Sequence, residues 1–191
     1  MTSTRQQIIE KTSQLLERQG YHATGLNQIV AESETPRGSL YYYFPQGKEE
    51  LAAEAVEFKA RQMSEYMRRL LATHADPVEA IYWALLNFAD HMDRGGCRGG
   101  APIASVALET AGSSERLRES CHLAYGFLVA PVQEKLVAAG YPMERAEALA
   151  LTISAALEGG MILSRTEQSS RPLRIIAEEI RTMLLCTTSV L

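Results

Sequence analysis

The chain has 191 residues, 46% of them hydrophobic and 22% charged, with a formal net charge of −4. This is a globular composition, long enough to bury a substantial core, and it excludes a disordered tail or an indiscriminate coat for polyanions. No run of about eighteen apolar residues offers a bilayer span, and the start MTSTRQQIIEKT lacks the apolar stretch of a secretory leader.

Cys97, Cys121 and Cys186 are too widely spaced for a disulfide framework or a CxxC metal site. A reducing cytoplasm fits, and neither a membrane contact nor a cofactor is expected. Residues 1–50 hold five Lys/Arg against six Asp/Glu. Any affinity for DNA must therefore come from arrangement rather than from bulk charge.

The elements read as helices throughout. Ile8, Thr12, Leu15 and Gln19 repeat at a helical period that stops at Gly20. ATGLNQIVAES places Leu26, Ile29, Val30 and Ser33 on one stripe, with Thr24 available as N-cap. After the break SETP, a short third helix is expected with Thr35 as N-cap and Pro36 at its first position. PQG interrupts again before a long helix that aligns Leu51, Ala55, Phe58, Gln62 and Tyr66.

Asp76 and Pro77 then cap and open a fifth helix, whose apolar face runs Val78, Ile81, Tyr82, Leu85, Phe88, Ala89 and Met92. RGGCRGGAP is a glycine-rich connector. A short helix over Ile103 to Thr110 follows, then a long one from Ser114 with Pro131 inside it. Two more helices, about Met143–Thr166 and Pro172–Cys186, complete an all-α chain of about nine helices with no β-alternation.

TPRGSLYYYF carries the most specific signal. At 100° per residue, Leu40 and Phe44 fall together and face inward, while Gly38, Ser39 and Tyr42 fall opposite and Tyr41 and Tyr43 flank them. Such a helix is shaped to press against something polar and close. With the amphipathic helix and tight turn before it, it completes a helix-turn-helix, whose second helix enters the DNA major groove. The spacing alone fits equally well an ordinary helical hairpin with half-buried tyrosines.

The run from Gly20 to Leu51, GYHATGLNQIVAESETPRGSLYYYFPQGKEEL, resembles the signature of the TetR family of bacterial transcriptional regulators. GGAPIASVALETAG and ALEGGMILSR resemble its LmrA/YxaF-like branch. The resemblance implies a DNA-binding domain over residues 1–50, with the helix-turn-helix at about 25–44. It also implies a larger helical domain for effector binding and dimerisation over residues 51–191.

The roles it implies fall on Thr24 as phosphate contact and cap, and on Arg37, Gly38 and Ser39 as the groove-facing start of the recognition helix. Tyr42 becomes the central aromatic, Tyr41 and Tyr43 donors to phosphates, and Lys48 a further phosphate partner. Three departures stand out: Glu34 replaces the family's usual glycine, Pro36 replaces its serine or threonine cap, and FPQGKEEL carries one extra residue.

A homodimer on a palindromic operator is expected, because one recognition helix with so little positive charge binds weakly. Ala155, Ala156, Gly159 and Gly160 give the eighth helix a small-residue surface for that interface. The resemblance also implies a cavity for a small lipophilic or aromatic effector. Candidate linings are Trp83, Asn87, Phe88, Met92, Tyr125 and Met161, with Phe127, His91, Glu109 and His122 as further side chains. For each, ordinary core packing is the competing reading.

Repression relieved by the effector is the family's default. A regulator without a pocket, controlled by a protein partner, is the alternative. An enzyme is the rival class, yet GGCRGG lacks a following Lys-Ser/Thr and a preceding strand. Glu109 and Glu158 are lone carboxylates, and neither His91 with Cys97 nor Cys121-His122 has metal-site spacing.

Overall fold

The computed structural model describes residues 3–96 and 102–188. Beyond Gly96, the connector reading of GGCRGG and the metal reading of Cys97 concern residues outside those described. Among the described residues the chain forms nine α-helices and no strand: α1 Thr4–Gln19, α2 Leu26–Ser33, α3 Arg37–Tyr43, α4 Lys48–Leu71, α5 Pro77–Arg94, α6 Pro102–Thr110, α7 Glu115–Ala138, α8 Met143–Glu167 and α9 Arg171–Thr188. They group into two compact units, residues 1–62 with 101–126 and residues 63–100 with 127–191.

In the first unit, α1 starts where the Ser3 hydroxyl accepts the Gln6 N–H and ends at Gly20, whose φ of 78° and ψ of −176° suit only glycine. Ile8, Leu15 and Leu16 of α1 are fully buried with Ile29, Leu40, Phe44 and Leu51. The three N-terminal helices pack on one another, and α6 packs on α1.

The turn between α2 and α3 departs from expectation. Thr35 does not cap α3: its hydroxyl lies 2.8 Å from that of Ser33, and both side chains are buried. Pro36 takes the N-cap place instead of the first helical position, and no side chain caps the helix. The Ser33 hydroxyl also donates to the Val30 carbonyl at 3.3 Å, so both hydroxyls are engaged beneath the turn and not at the α3 amides. Glu34 adopts φ 52° and ψ 34°, the left-handed conformation that glycine takes without strain.

In the second unit, Asp76 caps α5 by accepting the Glu79 N–H at 2.8 Å, with Pro77 at the first helical position. α9 packs along α5 and α8. Arg174 pairs with Asp90 and Asp93, and Arg181 with Glu79; each is a partly exposed pair worth at most about 1 kcal/mol. Pro131 lies within α7, as expected, and is buried.

By length and hydropathy α8 is apolar enough to cross a membrane, which the sequence reading did not anticipate. Here one face of it, including Ala146, Ile153, Leu157 and Met161, is buried within the unit.

Glu158 on α8 is an electrostatic anomaly. Its Oε2 is buried with no hydrogen-bond partner, and burial raises its carboxyl from the ordinary 4.5 to about 7. The native state therefore holds a proton that the unfolded chain releases. The resulting penalty is absent below about pH 4.5, grows between pH 4.5 and 7, and is complete above pH 7.

Two outcomes follow from this packing. Glu34→Gly should relieve the left-handed strain and stabilise the fold by up to about 1 kcal/mol. Urea denaturation at fixed protein concentration measures it, and an unchanged midpoint would dismiss the strain. Glu158→Gln should leave stability unaltered at pH 4 and raise it at pH 8 by about 3 kcal/mol, from the shift at about 1.36 kcal/mol per unit. Melting curves across that range would show parallel pH profiles if the carboxyl were not buried as a neutral acid.

Candidate nucleic-acid interface

α3 is seven residues long and uncapped by any side chain, so packing rather than propensity holds it. Leu40 and Phe44 are both fully buried. That anchoring turns the opposite side outward: Tyr42 is 79% exposed, Tyr41 45% exposed, and open space surrounds the Gly38 Cα. Ser39 and Tyr43 are half-buried and Arg37 is exposed.

The outer side chains support one another. The Tyr42 and Tyr43 rings meet edge to face with centroids 5.0 Å apart, and the Arg37 guanidinium lies 6.0 Å from the Tyr41 ring centre. The result is an aromatic ridge with one exposed cation at its amino end. Three hydroxyls can donate to phosphates, and a guanidinium can address guanine O6 and N7 in bidentate fashion.

Thr24 lies elsewhere than expected. It is 0% exposed, and its hydroxyl donates to the Gly20 carbonyl at 2.7 Å. Gly25, not Thr24, occupies the N-cap of α2 and provides no side-chain cap. Threonine thus closes the α1–α2 turn from inside instead of presenting its hydroxyl to a phosphate. Lys48 begins α4 with its ammonium 4.1 Å from the Tyr21 ring centre. Partial burial lowers its pKa, and the charge of Glu109 opposes that effect.

The candidate effector residues fall in both units. Tyr125 belongs to the first unit, whereas Trp83, Asn87, Phe88, Met92 and Met161 belong to the second. Trp83 is 49% exposed and stacks on His74 with ring centres 6.1 Å apart. Asn87 accepts a hydrogen bond from the Tyr66 hydroxyl and borders an open depression of about 430 Å³ with Asp90, Asp93 and Arg94. Phe88, Met92 and Met161 are buried, Phe88 meeting Tyr66 edge to face. Glu109 is in the first unit and is engaged there by His22.

The small residues of α8 divide between two faces. Gly160 faces its own subunit: a Cβ there would lie 2.7 Å from Leu173 Cδ2 and 2.8 Å from Ile176 Cδ1 of α9. The expectation that Gly160 serves a dimer surface is corrected, because α9 fills that space. Gly159 has open space beside it, and Ala155 is exposed. With exposed Leu151 and Ile162 they form a stripe at helical spacing. Sequence reasoning missed those two, although a period of 3.6 carried outward from Gly159 finds them.

Cys121 is buried, and burial pushes its thiol up to about 11. A thiol so protonated is a poor nucleophile, which removes the basis for a redox role at this position.

Residues 8–55 match the family described as bacterial regulatory proteins of the tetR family, and residues 77–179 the LmrA/YxaF-like transcriptional regulator C-terminal domain. The chain is 41% identical over 177 residues to the uncharacterized HTH-type transcriptional regulator YxaF of Bacillus subtilis, covering 93% of each chain. It is 40% identical to the HTH-type transcriptional regulator LmrA of the same organism, over 95% of this chain and 96% of that one.

Among solved structures, a TetR transcriptional regulator from Chloroflexus aurantiacus superposes with a TM-score of 0.79 at 27% identity, covering 95% of this chain and 94% of that one. Reduced Escherichia coli NemR superposes with a TM-score of 0.79 at 19% identity over 94% and 96%, a likeness of fold. A helix-turn-helix with an outward aromatic ridge, joined to a C-terminal domain of one particular branch, leads to one conclusion: the chain belongs to the TetR family of DNA-binding transcriptional regulators, in its LmrA/YxaF-like branch.

Proposed function

We propose that this protein is a cytoplasmic homodimeric repressor that binds a palindromic operator through α3 and releases it when a small apolar or amphipathic effector binds. The observation that carries the reading is the polarity of α3: Leu40 and Phe44 buried, Tyr42 and Gly38 presented to solvent. Arg37, Gly38 and Ser39 address the groove, Tyr42 a thymine methyl or phosphate, and Tyr41, Tyr43 and Lys48 the backbone. Thr24 supports the α1–α2 turn.

The acidic overall balance makes dimerisation functionally necessary in this reading. Two α3 helices spaced by about one helical turn, 34–36 Å, double the contacts and impose the operator's symmetry. The exposed stripe Leu151, Ala155, Gly159 and Ile162, with Ala156 at its margin, is the surface on which the partner subunit packs. Phe88, Met92 and Met161, buried in the second unit, supply the apolar lining for the effector. The effector acts by differential affinity, with a coupling of about 1–3 kcal/mol. No membrane takes part.

In gel-shift titrations, DNA from beside the gene should be retarded specifically, with affinity falling about a thousandfold or more between 50 and 200 mM salt. Uniform failure across upstream fragments would reject the regulator reading. Tyr42→Ala should abolish the shift while circular dichroism and dimer mass stay unchanged; undiminished binding would remove Tyr42 from the interface. In a thermal-shift screen of lipophilic compounds, those that raise the melting temperature should also release DNA by about 5- to 150-fold. Stabilisation without release would reject effector control.

A further inference from the structure

Glu109 ends up far from the effector role its sequence position suggests. Its side chain reaches from α6 to the α1–α2 turn, where Oε2 accepts the His22 backbone N–H at 2.7 Å. Its own backbone oxygen lies 3.4 Å from the His22 Nε2. The other carboxylate oxygen fills the space where a Cβ on Gly20 would stand, so the seat exists only because residue 20 is glycine. Gly20 is thus constrained twice, by its φ of 78° and by this contact. The Glu109 charge also acts on Lys48, whose ammonium lies over the ring of Tyr21, the residue beside Gly20.

We propose that Glu109 is a positioning residue for DNA binding: its carboxylate, seated on Gly20 and His22, holds the α1–α2 turn and the Lys48 ammonium in place for phosphate contacts. The inference rests on the DNA-binding reading above and adds to it a residue outside the helix-turn-helix. The turn leads directly into α2, whose N-cap is Gly25 and carries no side-chain acceptor, so the first amides of α2 depend on the turn for their direction. A negative side chain that contributes to binding a polyanion can do so only through the groups it holds. Salt dependence exposes that role, because each lost phosphate contact flattens the slope of log K against log salt by about 1.

The test uses the full-length protein, a duplex enriched by the wild type from a random-sequence library, and fluorescence anisotropy over a salt series. Glu109→Ala should weaken binding tenfold or more and flatten the salt slope by about 2 per dimer. Glu109→Gln, which keeps an acceptor for the His22 N–H but no charge for Lys48, should recover part of the affinity while the salt slope stays flattened.

Unaltered affinity in Glu109→Ala, or weaker binding with the wild-type slope, would overturn the proposal; the second result marks a merely structural residue. Amide hydrogen exchange on the free protein checks the seat independently of DNA. His22 should exchange faster in Glu109→Ala, and equal rates would sink the proposal. Failure of the wild type to enrich any duplex would count against the DNA-binding reading instead, and the exchange result would still decide whether the seat exists.

Discussion

Burial of two side chains on α3 is the constraint on which the interface depends. Seven residues without a side-chain cap cannot sustain a helix in water on their own, because nucleation costs more than so few hydrogen bonds return. Leu40 and Phe44 supply the missing stability by entering the core of the first unit completely. Removing a buried phenylalanine costs about 3–5 kcal/mol, a large fraction of a typical domain's stability. Once those two residues are fixed inside, the 100° step leaves no choice about where Gly38 and Tyr42 point.

The same tight assembly is strained at its turns. Glu34 holds a left-handed backbone, and Gly20 holds one that only glycine adopts. Ser33 and Thr35 spend their hydroxyls on each other, and Thr24 spends its own on Gly20. Polar side chains that could have capped helices instead close the turns from beneath. The starts of α2 and α3, unlike those of α1 and α5, consequently carry no side-chain cap.

In the second unit, small residues and a carboxyl mark what each face of α8 does. Gly160 admits Leu173 and Ile176 of α9, whereas Gly159, one residue earlier on the helix, faces open space. Glu158 is buried without a partner for Oε2, and it remains there because a protonated carboxyl costs less than a buried charge. An exposed apolar stripe on an otherwise well-packed helix is the usual mark of an association surface.

Much of this was legible in the sequence. The all-helical architecture, the Gly20 stop, the Asp76–Pro77 start and the two faces of α3 all follow from local rules: 3.6-residue periodicity, capping chemistry and the backbone limits of glycine and proline. The strain at Glu34 was visible as a departure from the family pattern. The sequence could not say that Thr24 and Thr35 turn inward, that Gly160 packs against α9 while Gly159 faces open space, that Trp83 is half exposed, or that Glu109 reaches the α1–α2 turn. Each of those depends on which helix lies against which. Neighbours far apart in the chain decide where a hydroxyl finds its acceptor or a glycine its contact, and no local period encodes them.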